Sequence, residues 1–192
     1  MPPPVRNAAA TREAILVAAK QRFLHDSYDN VVLRDVAGDV GVDVSLIGRY
    51  FGSKEKLFRE VLRHGKAGFA EQAPPAAELP AYLANLARPS LCENERAHIE
   101  KLQIILRSAS SAKASEIVRS SFHEDVLHPL AALLPGEDAE MRASLAMSVL
   151  TGTTIMRAIM GVDALHECEC PNMHRDLERL LGTALFGADG AA

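Results

Sequence analysis

The sequence predicts an all-α protein, with an N-terminal three-helix domain built around a helix-turn-helix and a larger helical domain behind it. Three observations carry this expectation. Ala, Leu, Glu and Arg are abundant, Trp is absent and runs of β-branched residues are scarce, a composition that favours helix over strand. Apolar residues recur at three- and four-residue spacing, and nothing reads as a strand. Residues 33–52 meet, position by position, the steric demands of two helices joined by a sharp turn.

Residues 1–10 open on a run of prolines and read as a flexible arm. The first domain is expected over 11–64. Its first helix runs from Thr11 to His25, with Ile15, Ala18, Ala19 and Phe23 at helical spacing, Thr11 as N-cap and Glu13 in the first turn. Two short helices follow, Leu33 to Val40 and Val44 to Phe51. Ser53 is placed to cap a fourth, whose buried stripe is Leu57, Phe58, Val61 and Leu62. Lys56 stands where a capping box needs Glu or Gln, so only half of that device is expected. The paired prolines at 74 and 75 break the pattern. The second domain, 65–187, then holds helices at roughly 78–88, 95–110, 113–134, 138–161 and 172–186, and 188–192 form a tail. Pro129 should kink or divide the third of these.

The formal net charge of −4 is unevenly spread. Residues 1–64 carry 10 Lys/Arg against 8 Asp/Glu, and the remainder 11 against 17. A mildly basic front and an acidic back suit a small nucleic-acid-binding head on a larger body. Cys92, Cys168 and Cys170 form no even disulfide framework, and neither a secretory apolar region nor a membrane-length segment is evident. These features point to a cytoplasmic setting.

Within residues 33–52, Ala37 supplies the small residue needed where the second helix lies over the first. Four positions later Gly41 sits at the turn, where positive φ is required. Val36, Val40, Val42, Ile47 and Tyr50 can hold the helix pair together from inside. Asp43, Val44, Ser45, Leu46, Gly48 and Arg49 are left on the outer face of the second helix, where a major groove is read. Two packed helices in an ordinary bundle would meet some of these constraints. Meeting all of them, in a three-helix context followed by Gly52-Ser53-Lys54, points to DNA binding.

The stretch from Thr11 to Leu62 resembles the DNA-binding domain of the tetracycline-repressor (TetR) family. The resemblance lies in Thr11-Arg-Glu-Ala-Ile-Leu, Leu33-Arg-Asp-Val-Ala, Gly41-Val-Asp and Arg49-Tyr-Phe-Gly-Ser-Lys-Glu-Lys-Leu-Phe. Glu124-Asp-Val-Leu-His-Pro-Leu-Ala-Ala-Leu-Leu, followed by Asp138 to Gly161, resembles one branch of that family's C-terminal regulatory domains. The resemblance implies a homodimeric repressor that binds a palindromic double-stranded DNA operator and leaves it when a small-molecule effector binds the C-terminal domain. Chemistry together with the resemblance assigns DNA-binding roles to Arg34, Val44, Ser45, Leu46, Gly48, Arg49, Tyr50 and Lys54. Arg49 can donate two hydrogen bonds to a guanine edge, and a phosphate or solvent contact is its alternative. Leu46 can touch a thymine methyl, and Val44 contributes shape in place of a frequent Lys. Tyr50 matches a family Tyr whose ring packs inward while its hydroxyl reaches phosphate. Lys54, in the first turn of a helix, can bind a phosphate or stay solvated. Two departures matter. Val31 and Val32 stand where the family has hydroxyls that cap and bind phosphate, so Asn30 is the substitute cap. Gly48 replaces a commonly aromatic residue, and closer backbone approach to DNA is one reason for it.

In the second domain, 138–161 and 172–186 occupy the place of the family's two dimerising helices. Ala146, Gly152 and Thr153 would permit close approach, and Leu177, Leu180, Leu181 and Ala184 form a stripe that serves either a dimer interface or the chain's own core. A ligand pocket among the middle helices would draw on Leu102, Ile105, Leu106, Phe122, Val126, Met147, Leu150, Thr151 and Met156, with Arg107 or Arg157 for an anionic ligand. Residues of these types are core more often than pocket. The segment His166-Glu-Cys-Glu-Cys-Pro-Asn-Met-His174 could supply soft metal ligands, but a solvated loop is the favoured reading, and no metal or cofactor is assigned. No Gly-rich phosphate loop, nucleophile triad or metal-ligand helix motif stands out, so an enzyme is not expected. A DNA-bound factor that controls a protein partner without a small-molecule ligand is the alternative to the ligand-responsive repressor.

Overall fold

The computed structural model describes residues 8–64, 73–87, 93–165 and 172–187, of which 93–96 are described in their backbone alone. The ten α-helices among them are α1 Ala8–His25, α2 Leu33–Val40, α3 Val44–Phe51, α4 Lys54–Arg63, α5 Leu79–Leu86, α6 Glu93–Ser108, α7 Ala112–Phe122, α8 His128–Ala132, α9 Ala139–Ala158 and α10 Met173–Phe186. Short 3-10 turns cover Ala76–Glu78 and Asp163–Leu165, and no strand occurs among the described residues. The chain forms two compact units, Met1–Lys66 with Gln103–Ser121, and Ala67–Leu102 with Phe122–Ala192.

In the first unit, α1 packs on α2 and α4, and α3 bridges α2 and α4. Ile15, Leu16, Ala19 and Phe23 of α1 meet Val36, Ala37, Ile47, Leu57 and Phe58 in one buried core. Phe58 stands edge-on to Phe23 at 4.8 Å and to Tyr28 at 5.0 Å between ring centroids, so three aromatic rings lock the centre. Helix α1 begins at Ala8, three residues before the cap that the sequence suggests. Thr11 is buried inside the helix and is not its N-cap, because the Ala8-Ala-Ala run before it is itself strongly helix-forming. Residues 8–10 are therefore helical, and 1–7 lie outside the described residues.

The first unit does not consist of the front of the chain alone, because 103–121 return to it. Ile104, Ala114 and Ile117 are buried in the same core as the helix-turn-helix. Helix α7 also ends earlier than the expected 113–134 helix. Before Pro129 the backbone widens into a π-helical stretch, His123–Leu127, and α8 follows. Proline lacks a donor and crowds the carbonyl one turn earlier, and the wider turn accommodates both defects.

The second unit is built on α9, which packs against α8 and α10, while α10 also packs on α5. Its core gathers Leu79 and Leu83, Leu130 and Leu134, Ala143, Ala146 and Leu150, and Leu177, Leu181 and Leu185. The turn into α9 puts Gly136 at φ 80° and Asp138 at φ 56°, a left-handed conformation that Asp tolerates better than most residues. Arg142 anchors this turn by donating to the carbonyls of Pro135, Glu137 (3.0 Å) and Leu185 (2.6 Å).

Two glycines of the helix-turn-helix make opposite predictions. At Gly41, φ is 68°, so Gly41→Ala forces a β-carbon into left-handed backbone and should destabilise the protein by about 1–2 kcal/mol. A β-carbon at Gly48 meets nothing within 4 Å, so Gly48→Ala should stabilise it by about 0.5–1 kcal/mol. Denaturant midpoints of the two variants read out both signs.

Candidate nucleic-acid interface

The helix-turn-helix is closed by backbone geometry. At the end of α2 the N–H of Gly41 bonds the Gly38 carbonyl at 3.1 Å, and the N–H of Val42 bonds the Ala37 carbonyl at 3.0 Å. This pair of bonds is a Schellman cap, which needs the left-handed residue that Gly41 supplies. Val42 packs partly buried against the core beside buried Ala37, so the turn and the helix contact stabilise one another. Asp43 then caps α3, its carboxylate accepting from the Ser45 N–H at 2.8 Å. The Ser45 side chain first, and then this backbone bond, hold the Asp43 carboxyl below its usual range. Asp43 therefore acts as a structural cap at the start of α3, a role that its outward position in the sequence did not reveal. At the other end Gly52, at φ 81°, closes α3, and Ser53 caps α4 by accepting from the Lys56 N–H at 3.3 Å. The cap position of α2 is Val32, with no side-chain cap bond, so the expected substitution by Asn30 is not what begins this helix.

Charged groups brace the four helices α1 to α4 at their rims. Arg22 donates two 2.7 Å bonds to the Asp39 carboxylate, linking α1 to α2. Arg12 lies 4.9 Å from the Phe51 ring centroid and donates to Glu60 at 2.9 Å, which joins α1, α3 and α4.

On this frame Val44, Ser45, Gly48 and Arg49 are exposed along α3, Arg34 is exposed on α2, and Leu46 is half-buried. Tyr50 is half-buried, with its ring packed partly into the core and edge-on to Phe51 at 6.4 Å. The outer face of α3 is thus open and carries one cation, Arg49. Lys54 is more confined. Its ammonium lies 4.6 Å from the Tyr28 ring centroid and donates to the Asp29 carbonyl at 3.4 Å. Burial lowers its pKa, while Asp29 and Glu55 oppose the shift.

Several residues around Lys54 were missed by sequence reasoning. Ser111 donates to Asp29 Oδ1 at 3.0 Å, and its Oγ also accepts from the Ala114 N–H at 3.3 Å, capping α7. Lys113 forms an ion pair with Glu55. Arg59 of α4 donates to Ser120 of α7 at 2.9 Å. A serine directly before the helix was a legible capping signal. The pairing with Asp29, far away in the chain, carried no signal at all.

The remaining candidate sets are redistributed. Ile105 packs against the core of the first unit, whereas Val126, Met147 and Leu150 belong to the core of the second. Leu102 is buried and Thr151 half-buried, while Leu106, Phe122 and Met156 are exposed. The nine residues expected to line a pocket thus fall in both units, some in a core and some exposed. Helical spacing marks a face for burial without saying what covers it. Arg107 is exposed and Arg157 is buried in α9. Of the candidate interface residues, Ala146, Leu177 and Leu181 are fully packed inside a single chain, which corrects their assignment to a subunit contact. Gly152, Thr153 and Ala184 are half-buried and Leu180 is exposed. Residues 166–171 of the Cys/His segment lie outside the described residues, and no metal-holding cluster occurs among those described.

Residues 15–61 match the family described as "Bacterial regulatory proteins, tetR family", and residues 83–185 match "Tetracyclin repressor-like, C-terminal domain". Among solved structures, the chain is similar to NalD of Pseudomonas aeruginosa, the secondary repressor of the MexAB-OprM multidrug efflux pump. The TM-score is 0.67 at 21% identity, covering 94% of this chain and 97% of NalD. It is also similar to a putative transcriptional regulator from Saccharomonospora viridis in complex with choline, with a TM-score of 0.56 at 21% identity, covering 88% and 94% of the two chains. A TetR-family regulator from Streptomyces coelicolor A3 is 27% identical at a TM-score of 0.50, covering 96% and 97%. No curated protein matches the sequence.

The cap at Asp43 has a consequence with a definite sign. Its folded pKa lies below the ordinary value near 3.8, so its contribution is full above that pH and is lost as pH falls through the folded pKa. Asp43→Ala should therefore be less stable than wild type at neutral pH, with the difference closing in acid. Thermal melts between neutral pH and about pH 3 test this.

Proposed function

The chain belongs to the tetR family of bacterial regulatory proteins, and on that premise we propose that it is a homodimeric, cytoplasmic DNA-binding repressor that leaves its operator when a small molecule binds the second unit. The observation that carries the DNA-binding reading is the complete helix-turn-helix scaffold with an open outer face on α3. In this reading Arg49 reads a base edge, Val44 and Leu46 supply apolar contact, Ser45 and Gly48 allow close approach, and Arg34, Tyr50 and Lys54 hold phosphates. No described helix is long and apolar enough to cross a membrane. Effector release is the part of this function that belongs to the second unit. It takes support from the choline complex of the Saccharomonospora viridis regulator and from NalD, a repressor of an efflux pump.

Dimerisation has its own support. Along α9, Met141, Leu145, Ser148, Gly152 and Met156 follow one another at three- and four-residue spacing, and Met160 continues the spacing just past its end. Met141, Leu145, Met156 and Met160 are exposed, as is Leu180 on the neighbouring α10. A β-carbon at Gly152 meets nothing within 4 Å, so the chain's own packing does not demand glycine there. A second copy approaching closely at that point gives the glycine a reason and covers the apolar row. Two recognition helices related by a two-fold axis would then read half-sites about 34–36 Å apart, or a multiple of that spacing.

Fragments selected from the source genome by the purified protein give the operator against which these roles are measured. Arg49→Ala should weaken specific binding by about 1–3 kcal/mol and relax preference at one base. Lys54→Ala should weaken binding to all duplexes and lower the salt slope by about one. Both should melt as cooperatively as wild type, and unchanged affinity in both variants rejects the assignments. For the dimer, Leu145→Glu and Leu180→Glu should give folded monomers in sedimentation with weaker operator binding. A persistent dimer in both variants rules this face out.

A further inference from the structure

Two acidic residues flank the Lys54 ammonium, and each is held from the start of α7. Asp29 lends Lys54 its backbone carbonyl, and its carboxylate accepts from the Ser111 hydroxyl at 3.0 Å. Glu55, next to Lys54 in the first turn of α4, is paired with Lys113. That pairing draws the Glu55 carboxyl down to about 2 and raises the Lys113 pKa. Ser111 is buried and also caps α7, and Ala114 and Ile117 of α7 sit in the core, so the anchoring end is well fixed. A long flexible lysine side chain is otherwise free to sample many rotamers, and fixing its surroundings reduces what is lost on binding.

We propose that Asp29, Glu55 and Lys113 are positioning residues for DNA binding: the start of α7 grips the acids on either side of Lys54 and so fixes where its ammonium is presented to a phosphate. The inference rests on the reading of Lys54 as a phosphate contact. It has an unusual consequence for sign. Removing a negative charge beside a bound phosphate should, by charge alone, tighten binding to DNA. If Asp29 and Glu55 act as anchors, removing either loosens it.

The test uses the full chain and fluorescein-labelled random-sequence duplex DNA, with affinity measured across a salt series. Asp29→Ala leaves the Ser111 cap on α7 but removes the acceptor of its buried hydroxyl, so it should melt lower yet cooperatively. The largely solvent-facing pair of Lys113 with Glu55 adds little to folding, so its two variants should melt like wild type. Asp29→Ala, Glu55→Ala and Lys113→Ala should each weaken binding by about 2- to 10-fold, the lower part of the coupling found between residues in contact. Each should lower the salt slope toward the Lys54→Ala value and not beyond it. In a Lys54→Ala background none should weaken binding further, because the anchored ammonium is gone. Tighter binding by Asp29→Ala and Glu55→Ala overturns the proposal, as does a Lys113→Ala loss that adds in full to that of Lys54→Ala, which marks Lys113 as a contact of its own. If Lys54→Ala itself changes nothing, the phosphate reading fails first. If wild type binds no duplex, the DNA-binding reading fails with it.

Discussion

At Gly41 the chain turns through a left-handed residue, and the two backbone bonds of that turn bring Val42 down beside Ala37. Everything useful about α3 follows from this corner. The angle between α2 and α3 is set where a side chain larger than alanine would push the helices apart, and Ile47 and Phe51 then face inward. Once they do, Val44, Ser45, Gly48 and Arg49 have only solvent to face. An open reading surface is thus the other side of a packing requirement.

The core that holds this corner is larger than the three-helix domain. Phe23, Tyr28 and Phe58 form its aromatic centre, and Ile104, Ala114 and Ile117 close it from a later part of the chain. A domain of this size buries little apolar surface when it stands alone, and a borrowed helix adds to that core. The same arrangement delivers Ser111 and Lys113 to Asp29 and Glu55, so a packing solution also shapes the charge around Lys54. The electrostatics of the front half therefore cannot be read from its own residues.

In the second unit α9 has two faces with different fates. Ala143, Ala146 and Leu150 are consumed by the chain's own core, together with Leu177, Leu181 and Leu185 of α10. Met141, Leu145 and Met156 are left outside, as is Met160 just past the end of α9. Arg142 fixes the end of α9 to the turn before it and to the end of α10, which keeps both faces in register.

What the sequence by itself determined was local: the helix-turn-helix with Ala37 and Gly41, the Ser53 cap, the Leu57-Phe58-Val61-Leu62 stripe, and the break at Pro129. Each of these depends on sterics or hydrogen bonding within a few residues, so the residue types suffice to reveal it. Even there, local rules misplaced the start of α1, because an alanine run extends a helix as readily as a threonine caps it. Only the tertiary structure decided the rest. It drew 103–121 into the first core, turned Ala146, Leu177 and Leu181 inward and Leu180 outward, and scattered the expected pocket residues. Helical periodicity records that a face is apolar, whereas its partner is set by contacts between residues far apart in the chain, which no local pattern encodes.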